Sequence, residues 1–567
     1  MIGKSTKSWL AAVLLGLLMP SAGFAANLVW DGSAAAGYLN ADGTWGSDNF
    51  WCNQNAAGRD GTTLISWVAN NIAWFGGNAG IGSNAAPSGN FTVTVLNTQA
   101  VAGVRQIQNG DGNYTLSGGT LDFGVSASGV RVDTNRMTVN SVLSGTGTTF
   151  QINVQCATGV LELGGNNTYS GTSEIRGVAG GTIRLNNAGA LGTGSAVSFI
   201  NGSVTLDLNG QNISGKNATV SSGQTGFIGN SGGSASTWLG NIALASSTAN
   251  IRAGGTGSEV EVDGIISGDG TVQVMDGGTL RLSGANTYTN ITTVRDGGTL
   301  IVNNASALGT PNGITYVQTG SKLNLNGFNI GTEGIDMQKA GAELLNNAGT
   351  AATANGTISL SAAGQKIGGS GDLNLGGIIS GTNGFEKTGA GTLTLSGSGT
   401  YLGTTVVSNG LLVIDGDNSA ATNTLTVAAD AVLSGSGRIG GAAVVYGGLK
   451  PGSNGSGSLT FAADVLLDGA STTTFEIVRS DRFDVAANDG GDAITFADGA
   501  NVVFDFAGYS GGTASFPVLS NWTGRIALGE IVFSLRNLPV DCTVDLSGFI
   551  SSGAIKVTKH GWLGIIY

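Results

Sequence analysis

The sequence predicts an all-β solenoid, and three observations carry that prediction. One motif recurs three times, as GVLELGGNNTYSGTSEI from Gly159, GTLRLSGANTYTNITTV from Gly278 and GTLTLSGSGTYLGTTVV from Gly391. Within each copy apolar and polar side chains alternate: Leu280 and Leu282 share one face of a strand, Thr279 and Arg281 the other. Glycine supplies 99 of 567 residues and proline only 6, where glycine's usual share is about 7%. A short alternating strand with glycine turns cannot bury its apolar face alone, so it must stack on its neighbours. Collagen is excluded because glycine keeps no every-third-residue register. A disordered linker is excluded by the sustained alternation of Val, Ile, Leu and Thr.

Residues 1–25 have the make-up of an export signal. Lys4 and Lys7 precede an apolar run from Trp9 to Met19, and Gly23-Phe24-Ala25 places small residues at a cleavage site before Ala26. No later run reaches the roughly 18 apolar residues of a spanning helix, so no transmembrane helix is expected.

Residues 26–110 form a Trp-rich N-terminal β cap with the first rungs. Five of the nine tryptophans fall here: Trp30, Trp45, Trp51, Trp67 and Trp74. The open end of a solenoid has to be covered, and large aromatics cover it efficiently. The competing reading is a sugar-binding surface of exposed indoles, with Trp45 and Trp51 as its test positions.

Residues 111–461 are the repeat-built helix of strands. The landmarks VLSGTG from Val142, IISGDG from Ile265 and IISGTNG from Ile378 keep step with the motif, and LDLNGQNISG from Leu206 returns as LNLNGFNIG from Leu323. The unit is therefore a super-repeat of several rungs, each roughly 20–25 residues. Leu161 and Leu163, Ile183 and Leu185, and Leu393 and Leu395 should stack as interior columns, with Tyr169, Tyr288 and Tyr401 at equivalent corners. Asn186-Asn187 and Asn303-Asn304 follow equivalent strands and can form hydrogen-bonded ladders.

Residues 462–567 keep the β pattern but lose the repeat, and they read as a small β-rich C-terminal cap. They are richer in Phe and charge, as in FEIVRSDRFDV from Phe475 and ITFADGANVVFDF from Ile494.

The three motif copies resemble the autotransporter-associated β-strand repeat, also called the passenger-associated transport repeat. The segment GRIGGAAVVYGGLKPGSNGSGSLTF from Gly437 is similar to the stretch that often follows that repeat, and LVWDGS from Leu28 to the start of large exported proteins carrying it. The resemblance implies a right-handed parallel β-helix and Gram-negative export. It also implies an extracellular or outer-membrane-associated life, with contacts to surface glycans or proteins, and it implies no catalytic residues. The family's C-terminal translocator barrel has no counterpart here, since each barrel strand needs about 9–11 residues plus turns. The expectation is a protein that is periplasmic, released, or carried outward by a separate secretion partner.

Chemistry is sparse. The net charge of −12, with only 11% charged residues, offers no basic stripe for nucleic acid. Cys52, Cys156 and Cys542 are odd in number and far apart, so no disulfide framework is indicated. Gly435-Ser436-Gly437-Arg438-Ile439-Gly440 fits G-x-G-x-x-G, but strands follow it where a dinucleotide site needs a helix. Gly368-Gly369-Ser370-Gly371-Asp372 approaches a calcium nonapeptide with its aspartate one position early. Asp489-Gly490-Gly491-Asp492 could offer calcium ligands, though a solvated turn is the better reading. Asp481, Asp484, Asp489 and Asp492 are the densest acidic group, and His560 is the single histidine. No catalytic, cofactor-binding or metal-binding residue is assigned, no cofactor is expected and the chain is read as not an enzyme. The leading function is a surface or secreted structural and adhesive β-helix. The alternative is a carbohydrate-binding or polysaccharide-processing one.

Overall fold

A computed structural model describes residues 26–31, 41–53, 64–75, 89–106, 112–126, 128–247, 250–254, 259–453, 455–490, 493–522 and 526–560. Residues 1–25, where the export signal is read, lie outside the described residues. The chain winds into a parallel β-solenoid of about 17 turns with almost no helix. Each complete turn visits three faces. The first face runs through Val160–Leu163, Thr182–Leu185, Thr205–Asp207, Thr225–Gly229, Asn250–Gly254 and Thr271–Met275. The second runs from Ser236–Trp238 through Val260–Val262 and Thr279–Leu282 to Ile526–Leu528. The third holds Thr172–Gly177, Ala196–Asn201 and Ile266–Gly268, and later Leu373–Leu375, Thr392–Leu395 and Val532–Arg536.

Side-chain alternation does the packing. Val139, Leu163 and Leu185 stand in register on successive turns, as do Val262, Leu282 and Val302, and Leu375, Leu395 and Ile414. All nine are buried, and they belong to one continuous core. Each fully buried Leu or Val removes enough apolar surface from water to contribute about 1.5–3 kcal/mol. The partners on the outward side are polar: Glu162 pairs with Arg184, and Arg184 reaches Asp207 on the next turn at 2.8 Å. The asparagine ladders form as single steps, Asn209 Nδ2 donating to Asn186 Oδ1 at 2.8 Å and Asn326 Nδ2 to Asn303 Oδ1 at 3.3 Å.

The super-repeat does not close on itself. From Val160–Leu163 five turns lead along the first face to Thr271–Met275, and the second motif copy, Thr279–Leu282, opens on the next face. From Thr279–Leu282 five turns lead along the second face to Phe385–Thr388, and the third copy, Thr392–Leu395, opens one face further on. The three copies therefore occupy three different faces of the shaft.

At the N-terminal end Trp30, Trp45 and Trp51 are fully buried, with Trp45 and Trp51 centroids 4.8 Å apart and Trp67 packed on both. Parallel stacking continues beyond residue 461. Val465–Leu467, Ile494–Phe496 and Ile526–Leu528 extend the second face, and Thr472–Arg479, Asn501–Asp505 and Val532–Arg536 the third. Strands Ala514–Phe516, Cys542–Asp545 and Ile555–Lys559 then form an antiparallel sheet. Beside it the short helix Ser547–Ser552 drives Phe549 against Phe496, Phe504 and Phe533.

Candidate functional site

The repeated motif builds an interior corner. Its tyrosines are buried, and each hydroxyl meets the hydroxyl four residues on: Tyr169 with Ser173 at 2.9 Å, Tyr288 with Thr292 at 2.6 Å and Tyr401 with Thr405 at 2.7 Å. Burial raises all three phenols above their ordinary range, so they stay protonated. Two residues before the tyrosine, Asn167 and Asn286 span three turns. Asn286 Oδ1 accepts from Ile266 N–H at 2.8 Å, and its Nδ2 donates to the Ala307 carbonyl at 2.6 Å. In the third copy the position is Gly399, because a Cβ there would collide with Oδ1 of Asn418 on the next turn.

A cleft of about 460 Å³ lies on the outer side of the third face. Its floor is the outward column Asn374, Thr394, Val413, Ser434 and Lys450, each in register with the next. Lys450 Nζ pairs with Glu476 at 2.5 Å. One wall is the loop after Pro451, held by a two-way backbone bridge between Gly435 and Gly452 and by Ser434 Oγ donating to the Gly452 carbonyl at 2.7 Å. Asp484 ties that wall to the strand Thr472–Arg479. It accepts from Glu476 N–H at 2.8 Å and Gly457 N–H at 3.2 Å. Burial pushes its carboxyl up to about 7, reinforced by the Glu476 charge, while the two N–H bonds and Lys450 pull it down. At 1% exposure Asp484 is a buried tie, and the other polar groups lining the cleft are the Asn374 amide, the hydroxyls of Thr392, Thr394, Ser434 and Ser453, the Asp415 carboxylate and the Lys450–Glu476 pair.

The other sequence candidates do not converge. Trp45 and Trp51 face inward and offer no indole surface. Among the tryptophans of that segment Trp74 points outward, half-buried, with the Arg105 guanidinium 5.1 Å from its ring centroid. The G-x-G-x-x-G stretch spans strands Ala431–Gly435 and Arg438–Ile439, which lie in parallel ladders. Asp372 accepts from Thr392 N–H at 2.8 Å, linking two successive rungs. Asp481 pairs with Arg479 at 2.8 Å in solvent, and Asp489 pairs with Arg438. Asp492 lies outside the described residues. His560 Nε2 sits 3.0 Å from Thr543 Oγ1 on the surface. Among the described residues no three His, Cys, Asp or Glu side chains gather as a metal site, and no helix is long and apolar enough to cross a membrane. Sequence reasoning missed the cleft because its floor is a column of single residues about 20 positions apart.

Comparison with known proteins bears on the motif. The family model described as Passenger-associated-transport-repeat matches residues 158–185, 276–302 and 385–414, the three stretches whose corners are built alike. These are passenger-type transport repeats. The chain is also 30% identical over 232 residues to the adhesin BmaC autotransporter of Brucella suis biovar 1 (strain 1330). That alignment takes in 40% of this chain and 6% of the relative, so the chain spans a small fraction of the protein it matches.

Proposed function

We propose that the chain serves as the secreted or surface-exposed shaft of an exported protein and makes adhesive contacts through its outer faces. The observation that carries this reading is the three passenger-type repeats set within an uninterrupted solenoid. A parallel stack with a continuous core resists bending, and the motif's rotation from face to face sets one copy on each side of the shaft. The similarity to a protein named as an adhesin supports the same class of role. Catalysis is not part of the proposal: Asp484, the buried carboxyl beside the cleft, is a structural tie.

The cleft on the third face favours a second reading, recognition of a hydroxyl-rich ligand such as a glycan. Asn374, Thr394, Ser434 and the Lys450–Glu476 pair supply alternating donors and acceptors. The purified full chain applied to cultured cells and to a glycan array tests both. Cell attachment with no glycan signal supports the shaft reading alone. Glycan binding lost in Lys450→Ala with folding intact supports the cleft. Neither signal on any surface would overturn the adhesive proposal.

A further inference from the structure

Two equivalent corners of successive super-repeats carry opposite charges inside the same backbone. The segment Ala190-Leu191-Gly192-Thr193-Gly194 precedes LDLNGQNISGK, ending at Lys216, and Ala307-Leu308-Gly309-Thr310-Pro311 precedes LNLNGFNIGTE, ending at Glu333. Lys216 and Glu333 thus hold the same place. Lys216 is buried, and its ammonium donates to the carbonyls of Leu191 at 3.1 Å, Gly192 at 2.7 Å and Gly194. The corner is a cage of backbone oxygens that selects a cation.

In the next super-repeat a carboxyl side chain holds the equivalent place. Glu333 is 3% exposed and lines a cleft with Leu308, Gly309 and Pro311, the residues equivalent to the three that hold Lys216. Its Oε1 accepts from Thr315 Oγ1 at 2.9 Å, and by strand register Thr315, opposite Ile335, stands where the first super-repeat has the inward Val197, opposite Ala218. Among the described residues no N–H is hydrogen-bonded to the carbonyls of Leu308, Gly309 or Pro311. The hydroxyl of Thr310, in the same loop, is buried without a partner. Burial pushes the Glu333 carboxyl up to about 7, with the Thr315 bond pulling the other way, and no cation offsets it. An ionised Glu333 carboxylate beside these free carbonyls would be repelled by them, and a cation held between them would turn that repulsion into attraction.

We propose that the Glu333 corner binds a hard divalent cation of the calcium class, through the Glu333 carboxylate, the Thr315 hydroxyl and the carbonyls of Leu308, Gly309 and Pro311. The charge count selects the valence. Lys216 gives its corner one positive charge, and Glu333 with a divalent ion gives the equivalent corner the same. Oxygen-only ligands in an irregular loop suit calcium, which accepts variable geometry and completes its shell with water. The two exchanges, Lys to Glu and Val to Thr, both add oxygen ligands, as a switch from an internal ammonium to a bound ion requires.

Calcium chloride titrated into the metal-stripped full chain, followed by thermal melting and by terbium luminescence, tests the site. The wild type should melt higher in millimolar calcium and should sensitise terbium, because Tyr288 lies close enough to Glu333 to feel its charge. Glu333→Gln should lose both responses. The double variant Glu333→Lys with Thr315→Val restores the chemistry of Lys216 and Val197, around which this chain already folds. It should melt at the calcium-saturated temperature without calcium and ignore further addition. A wild type indifferent to calcium would overturn the proposal. So would a calcium response retained in Glu333→Gln or in the double variant.

Discussion

The hydroxyl of Tyr288 lies 2.6 Å from Thr292 Oγ1, and both groups are sealed inside the solenoid. The pair solves a packing problem. A tyrosine fills the corner between two faces better than a smaller residue, but its hydroxyl would be orphaned there, at a cost of about 1–3 kcal/mol. The hydroxyl four residues later meets it, and the same solution recurs at Tyr169 with Ser173 and Tyr401 with Thr405.

Removing one partner should therefore cost more than removing both. Tyr288→Phe strands the Thr292 hydroxyl, and Thr292→Val strands the phenol, so each should lose about 1–3 kcal/mol in urea unfolding. The double variant should recover part of that loss, as paired apolar replacements do. Additive losses would show that the two groups do not act as a unit.

Much of this was legible beforehand. Tyr169, Tyr288 and Tyr401 sit at like corners, and the alternation around Leu163, Leu282 and Leu395 placed them inside, as their burial shows. Their hydroxyl partners were present in the motif text, as the Ser or Thr four positions on, yet period-two reading treats those residues only as strand positions. The rotation of the motif from face to face was not legible. Residue spacing fixes the period along the chain, but rungs differ in length, so the number of turns per period depends on loops that carry no pattern. The cleft around Lys450 and Glu476 was hidden for the same reason, since register across turns brings its floor together.

Leu282 stands between Val262 and Val302 in the second-face column and is fully buried. Leu282→Ala should cost about 2–5 kcal/mol through lost burial and the cavity left behind. Leu282→Asp should be worse, because it buries an unpaired charge. Contacts in a solenoid are local, so limited proteolysis should cut first near residues 260–302. Wild-type resistance in Leu282→Asp would contradict the inward column.

The Asp484 carboxyl, raised to about 7 from 3.8, gives stability a definite pH slope. The folded state holds this proton more tightly than the unfolded chain does. Its contribution is therefore fully present below the unfolded value and is lost as pH rises through about 7. Denaturation measured from pH 4 to 8 should show Asp484→Asn gaining on the wild type as pH rises, roughly over that span. Parallel pH profiles would show that Asp484 is ionised in the fold throughout.

The last parallel strands, Ile526–Leu528 and Val532–Arg536, end their faces with an edge and an open interior. Phe549, on the short helix Ser547–Ser552, plugs that interior against Phe496, Phe504 and Phe533, and Gly553 accepts a hydrogen bond from Leu519 N–H at 2.9 Å. A stack of parallel strands templates further strands wherever its edge is bare. A chain cut after residue 536 should therefore self-associate, while the full chain at equal concentration should not. Phe549→Ala should have a milder form of the same defect, because the helix would remain while losing its anchor. Light scattering coupled to gel filtration reads both. If the cut chain stayed as dispersed as the full one, the helix and its antiparallel sheet would have no capping role, and protection of that edge would have to come from its own charged residue, Arg536.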